Sequence, residues 1–320
     1  MPLRIVFCGT PAFALPSLGH LLAQADFRVE AAVTQPDRPR GRGQRLSLSP
    51  VKEAALEAGL AVYQPEKIKS DAAFDLFTDL APDVVVIIAY GQIIPPRLLE
   101  IPRFGWINLH GSLLPKYRGA APVNWAIANG ERQTGVTTMQ VHRGLDTGPV
   151  LLQREVEIGS HETAPELAAR LAGIGAPLVS ETLQKLARGE LDPQPQDDRE
   201  ATFAPLLKKE DGRIDWAQPA QTIYNRIRGL EPWPGAFTTF RDKSCHIWGR
   251  PAGGGDTRAS PGAILFSPGT GSANDRPLLV ACGSGTALRL EFVQLEGRKR
   301  ITAREFSSGA RIKSGDQFAT

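Results

Sequence analysis

The chain has 320 residues, 42% of them apolar and 22% charged, and a formal net charge of +3. That is enough apolar material for two cores and too much for a disordered chain. No apolar run reaches bilayer-spanning length, and the strongest, residues 84–89, is only strand-sized. The first residues enter a strand pattern without a signal-peptide layout, so a cytoplasmic location is expected. The three cysteines, Cys8, Cys245 and Cys282, are odd in number and far apart, which argues against a disulfide framework or a zinc site.

The chain opens with alternating strand and helix patterns. Residues 4–8 form a short apolar strand ending in Gly9-Thr10-Pro11, and residues 12–25 have helical spacing. A second strand covers 29–34. Ser49 stands in N-cap position before Pro50, which predicts a helix over 49–58 closed by Gly59. A further helix is expected over 71–80 and a strand, apolar on both faces, over 83–89. Residues 105–110 make another strand. This alternation predicts an α/β fold, a Rossmann-like doubly wound and mostly parallel sheet.

The pattern then changes. Residues 134–142 and 149–158 flank Arg143-Gly144-Leu145-Asp146-Thr147-Gly148 and read as a hairpin with a long turn, followed by a long helix over 164–187. Residues 188–198 are polar and proline-rich, the composition of a linker. Beyond residue 204 short strands dominate, separated by turns such as 251–255 and 268–272, which predicts a small β-barrel. The expected division is therefore residues 1–188, a linker over 189–204, and 205–320. A monomer is the default expectation.

The near-neutral total hides two basic patches. Arg38, Arg40, Arg42, Arg45 and Lys52 stand against Asp37 in the first. Arg289, Arg298, Lys299, Arg300, Arg304, Arg311 and Lys313 stand against three glutamates in the second. Two separated patches suit an extended polyanion, although each is also consistent with a solvated surface loop. Pro39-Arg40-Gly41-Arg42-Gly43-Gln44-Arg45 is too glycine-rich for a core element and follows the second strand, which places it on the ligand-binding edge of such a sheet.

Asn108 and His110 are two apart on the 105–110 strand, so they project from one face about 7 Å apart. Two polar groups at the carboxyl end of a buried strand sit where open α/β sheets bind ligands. A hydrogen-bonded structural pair is the bland alternative. Asp146, in a Gly-flanked turn, completes an amide, an imidazole and a carboxylate. Such a set suits direct transfer of an acyl group to an amine without a nucleophilic Ser or Cys. Asp146-Thr147-Gly148 has the letters of an aspartic-protease signature, but that chemistry needs a second carboxylate sharing the proton. The Gly9-Thr10-Pro11 turn lacks the spacing of a dinucleotide loop. His20, His142, His161 and His246 have no metal-ligand spacing.

The segments Phe7-Cys8-Gly9-Thr10-Pro11, Thr34-Gln35-Pro36-Asp37-Arg38-Pro39, Ala89-Tyr90-Gly91, residues 108–115, Arg118-Gly119-Ala120-Ala121-Pro122, Gly144-Leu145-Asp146-Thr147-Gly148, Ile214-Asp215-Trp216 and Pro232-Trp233-Pro234 carry a resemblance. Over nearly its whole length the chain resembles the methionyl-tRNA formyltransferase family of folate-dependent formyltransferases. The resemblance implies Asn108, His110 and Asp146 as catalytic residues and 10-formyltetrahydrofolate as co-substrate, with no metal. Ser112, Leu113, Leu114 and Pro115 would form one wall of the folate crevice, and Ala89, Tyr90 and Gly91 would give backbone contacts to the pterin. It also implies an OB-like second domain. Initiator methionyl-tRNA would be the partner, met by Arg38, Arg40, Arg42, Arg45, Lys208, Lys209, Arg298, Lys299 and Arg300. Relatives acting on sugar nucleotides or purine precursors share the reaction residues, so these name the reaction and not the acceptor. Outside the superfamily, the rival is a non-catalytic RNA-binding module. It would have no use for an intact Asn–His–Asp set.

Overall fold

The computed structural model describes residues 1–40, 45–253, 257–266, 277–313 and 316–319. The chain divides into two compact units. The first takes in residues 1–122, 133–157 and 166–205, and the second 123–132, 158–165 and 206–320.

The first unit is built on a seven-stranded sheet in the order Val150–Glu157, Gln133–Gln140, Trp106–His110, Val84–Ile88, Leu3–Gly9, Phe27–Val33, Ala61–Tyr63. The last five are mutually parallel, and Gln133–Gln140 runs antiparallel to both of its neighbours. The chain winds outward from Leu3–Gly9 in one direction and then returns to the other side of it. This reversal puts the ends of Leu3–Gly9 and Val84–Ile88 at a topological switch point. All five residues of Val84–Ile88 are buried, as a strand covered by helices on both faces requires.

The helices start where the sequence signals them. The Ser49 hydroxyl accepts from the Lys52 amide ahead of Pro50–Glu57, and the Ser70 hydroxyl from the Ala73 amide ahead of Asp71–Leu80. The long helix Ala164–Ala187 crosses Leu109 at Gly175, where a Cβ would stand 2.5 Å from the leucine side chain. The absence of a side chain there lets the helix lie close on the Trp106–His110 strand.

Residues 189–204 are not a free spacer. Gln194 and Val150 exchange two backbone hydrogen bonds of 2.8 Å, and Phe203–Ala204 pairs in parallel with Arg118–Gly119. Proline stops this segment from joining a helix but leaves it extended, and an extended chain can pair at an edge.

The second unit holds an antiparallel sheet in the order Phe237–Phe240, Lys243–Pro251, Ala287–Leu295, Leu278–Ala281, Ile264–Phe266, with Ile301–Thr302 also paired to Ala287–Leu295. Its two edges are joined by the end of the chain. Ala319 bridges Thr239, Gln317 bridges Ala263, and the Phe318 amide donates to the Gly262 carbonyl at 2.9 Å. The sheet is thereby made barrel-like, which leaves fewer edge groups unpaired. Phe318 is itself core, stacked on Trp216 with centroids 5.7 Å apart. Two helices, Ala220–Gly229 and Ala303–Gly309, were not expected. The turn expected at 268–272 and residues 254–255 of the other lie outside the described residues. No helix among the described residues is long and apolar enough to cross a membrane.

Candidate active site

Trp106, Asn108 and His110 share one face of their strand. The Trp106 indole, buried and tilted against Phe77, donates to the Leu98 carbonyl at 2.8 Å and anchors the strand's start. Asn108 is half-buried, and its carboxamide has no hydrogen-bond partner among the described residues. It is free to donate to something that enters. His110 is only 6% exposed. Its Nε2 lies 2.9 Å from the Tyr117 carbonyl, which can only accept, so that nitrogen carries a proton. Nδ1 lies 3.7 Å from Asp146 Oδ2, beyond hydrogen-bond length but within strong Coulomb range.

Asp146 arrives from a turn in which its own backbone is left-handed, with φ 52°. Its Oδ2 accepts from the Gly119 amide at 2.8 Å. Its carbonyl accepts from the Gln196 carboxamide at 2.8 Å, as does the Gly148 carbonyl at 2.7 Å. Sequence reasoning missed Gln196 altogether, because it stands in a proline-rich stretch with no periodic signal. The three free thiols are all buried, and burial pushes Cys245 and Cys282 up to about 12 and Cys8 well up too, so none is poised as a nucleophile.

The two expected folate segments lie at the sheet's carboxyl ends. Ser112 is fully buried and its hydroxyl donates to the Lys116 carbonyl at 2.6 Å, which ties the loop to itself. Thr137 Oγ1 donates to the Ser112 carbonyl and accepts from the Leu114 amide, while Gln153 holds the Leu114 carbonyl at 2.9 Å. This fixes the shape of the 112–115 wall, on which Leu113 and Pro115 remain partly exposed. Thr137 and Gln153 were also missed. In the other segment the Tyr90 side chain is buried, and burial raises its phenol. Its carbonyl accepts from Gln35 Nε2 at 3.1 Å and Thr10 Oγ1 at 3.3 Å across the switch point. Ala89 and Gly91, both with positive φ, leave their backbone exposed on either side. A cavity of about 770 Å³ is lined in part by Leu99, Phe104, Trp106, Val141 and Gly144. It adjoins the strand of Asn108 and the turn of Asp146, and residues 89–91 and 112–115 are not among its walls.

Residues 3–183 match the formyl transferase family and residues 206–311 the formyl transferase C-terminal domain. The chain is 53% identical over 317 residues to a methionyl-tRNA formyltransferase of Solibacter usitatus, covering 99% of this chain and 98% of the relative. A second methionyl-tRNA formyltransferase, of Koribacter versatilis, is 50% identical and is covered to 98%, as is this chain. The chain belongs to the methionyl-tRNA formyltransferase family. Among solved structures, WlaRD, a sugar 3N-formyl transferase crystallised with dTDP and 5-N-formyl-THF, shares the fold with a TM-score of 0.66. It is only 17% identical, over 93% of this chain and 100% of that one.

The methionyl-tRNA formyltransferases act on a polyanion, and the basic residues stand as follows. Arg38–Arg40 and Arg45–Ser47 form a small hairpin in which Arg40 is paired with Arg45. Its tip, with Arg42, lies outside the described residues. Arg38 is exposed, whereas Lys52 is neutralised by Asp37 at 2.5 Å and also bonds Gln64, which removes it from the patch. Lys208 and Lys209 are exposed. In the second unit Arg250 and Arg289 share Glu291, while Arg298, Lys299 and Arg300 have no carboxylate partner among the described residues. The Arg300 guanidinium lies over both the Trp248 and Phe292 rings, 4.1 and 4.2 Å from their centroids. His246 packs on the same aromatic row, 6.2 Å from Trp248. No group of three His, Cys, Asp or Glu is arranged for a metal among the described residues.

Proposed function

We propose that the chain transfers the formyl group of 10-formyltetrahydrofolate to the α-amino group of methionine on initiator methionyl-tRNA. The products are N-formylmethionyl-tRNA and tetrahydrofolate. The observation that carries this reading is the 53% identity to a methionyl-tRNA formyltransferase over essentially the whole chain, both units included.

The reaction follows from the residues. The neutral amine adds its lone pair to the formyl carbon, a C–N bond forms, and the carbonyl electrons move onto oxygen. Asn108 donates to that oxyanion from its unpartnered carboxamide, and His110 does so from Nδ1 once it has taken up a proton beside Asp146, its Nε2 proton being held by the Tyr117 carbonyl. When the oxyanion collapses, the bond from carbon to the folate nitrogen breaks, and the pair stays on that nitrogen, which takes up a proton. The proton lost by the amine passes by way of His110 and Asp146. No step draws on a metal. The folate lies against the 112–115 wall and the exposed backbone at Ala89 and Gly91.

The tRNA is met by Arg38, Arg40, Arg42, Arg45, Lys208, Lys209, Arg298, Lys299 and Arg300. Of these Arg300 is pre-oriented, since its guanidinium rests over two rings with no carboxylate among the described residues to compete for a phosphate. The chain acts as a monomer in the cytoplasm. Its division follows catalysis in residues 1–188, the 189–204 connection, and RNA binding in 205–320.

The test is incubation of the pure protein with 10-formyltetrahydrofolate and, in parallel, charged initiator tRNA, free methionine or an amino-sugar nucleotide. Formyl transfer to charged tRNA far above the other acceptors is expected. Equal or preferential formylation of the sugar would overturn the assignment.

A further inference from the structure

Three consecutive residues grip the catalytic pair. The Tyr117 carbonyl takes the His110 Nε2 proton, the Gly119 amide holds Asp146 Oδ2, and between them Arg118 turns its side chain inward, only 4% exposed. Arg118 Nε donates to Gln196 Oε1 at 3.0 Å, and its Nη1 pairs with Asp198 at 2.8 Å. Gln196 in turn spends both hydrogens of its Nε2 on the Asp146 and Gly148 carbonyls. Its amide orientation is unambiguous, because the nitrogen faces two carbonyls and the oxygen faces a guanidinium.

The turn has need of such a clamp. Asp146 sits at φ 52°, a left-handed conformation that aspartate tolerates but that leaves the carbonyls of the turn without a regular backbone ladder. Carbonyls on either side of Thr147 have donors only through Gln196 in the described hydrogen bonds. Buried or half-buried carbonyls without donors would pull the turn toward solvent or water, and the Asp146 carboxylate would move with it.

We infer that Gln196 is a positioning residue for Asp146: it fixes the turn so that the carboxylate stays against His110, and Arg118 holds Gln196 in place for that task. The inference rests on the role proposed above for Asp146. It gives a catalytic reason for the proline-rich segment to be fastened to the first unit.

The decisive variant is Gln196→Glu. It keeps the shape and an acceptor for Arg118 but presents oxygen, not N–H, to the two carbonyls. Gln196→Glu and Gln196→Ala should each lower kcat by about 10- to 100-fold, the scale of a small misplacement in a reacting set. KM for both substrates should stay within a few-fold and the melting temperature near the parent's. Gln196→Ala combined with Asp146→Ala should be no slower than Asp146→Ala alone, because the clamp acts only through that carboxylate. Parent-level kcat in Gln196→Glu, or losses that multiply in the double variant, would overturn the clamp. Should Asp146→Ala be slow while both Gln196 variants run at the parent rate, only the clamp falls. A fast Asp146→Ala would remove the role of Asp146 and the clamp with it.

Discussion

Replacing Asp146 by asparagine isolates the charge beside His110 from everything else the residue does. The carboxamide oxygen can still accept from the Gly119 amide, now bonded at 2.8 Å, and asparagine tolerates the left-handed backbone as well as aspartate does. What is lost is a negative charge 3.7 Å from Nδ1, with both side chains largely shielded from water at 6% and 14% exposure. At that distance and an effective dielectric near 20, two unit charges attract by about 4 kcal/mol. Only the part that grows as His110 takes up charge in the transition state counts toward rate. The expected loss is therefore about 100- to 1000-fold in kcat, the usual range for removing one electrostatic partner from a reacting set. Single-turnover formyl transfer, with donor and charged tRNA both saturating, reads the chemical step directly. The melting temperature should change little. A variant of parent stability that transfers within a few-fold of the parent rate would refute the claim that the Asp146 charge takes part.

Other expectations are narrower. Asn108→Ala removes a side-chain donor with no partner among the described residues and should cost about 100- to 1000-fold in kcat with donor binding nearly unchanged, as titration of a fluorescent folate would record. Arg42→Ala should slow transfer to charged initiator tRNA and leave folate binding intact. Joint neutralisation of Arg298, Lys299 and Arg300 should weaken tRNA binding at all sequences and flatten its salt dependence by up to about 2 to 3 in the log–log slope. The Lys52 ammonium and the Gln64 amide, hydrogen-bonded to Asp37, hold its carboxyl below the usual carboxylate range. A lowered folded pKa gives stability that is complete above the unfolded value of about 4 and is lost as pH falls through the folded value. Melting curves of the parent and Asp37→Asn should thus differ at neutral pH and converge below about pH 4; a gap that persists in acid would count against that ion pair.

What the sequence disclosed and what it hid divide along a physical line. Ser49 and Ser70 announce their helices because a cap is a local event. Val84–Ile88 stands out as a short continuous apolar run, as burial on both faces requires, and the His110 strand because two polar groups two residues apart interrupt such a run. The helix Ala303–Gly309 was legible and overlooked: Thr302 and Glu305 form a capping box, three residues apart in the sequence. The barrel's closure by 317–319 was not legible, since a bridge to Thr239 depends on where the last residues travel in space. Gln196 belongs to a third kind. Nothing in its own neighbourhood marks it, and its proline-rich setting argues for an exposed spacer. The requirement is instead written in the turn around Asp146, whose carbonyls must find donors and whose glycines leave no side chains to supply them. Gly148 cannot even carry a methyl group, because a Cβ would meet the Gln140 carbonyl at 1.7 Å. A tight turn of that kind, placed to present a carboxylate, must borrow its donors from elsewhere in the chain. In this protein the lender is the connecting segment, so a stretch that looks like mere tether supplies the donors that hold the turn of Asp146.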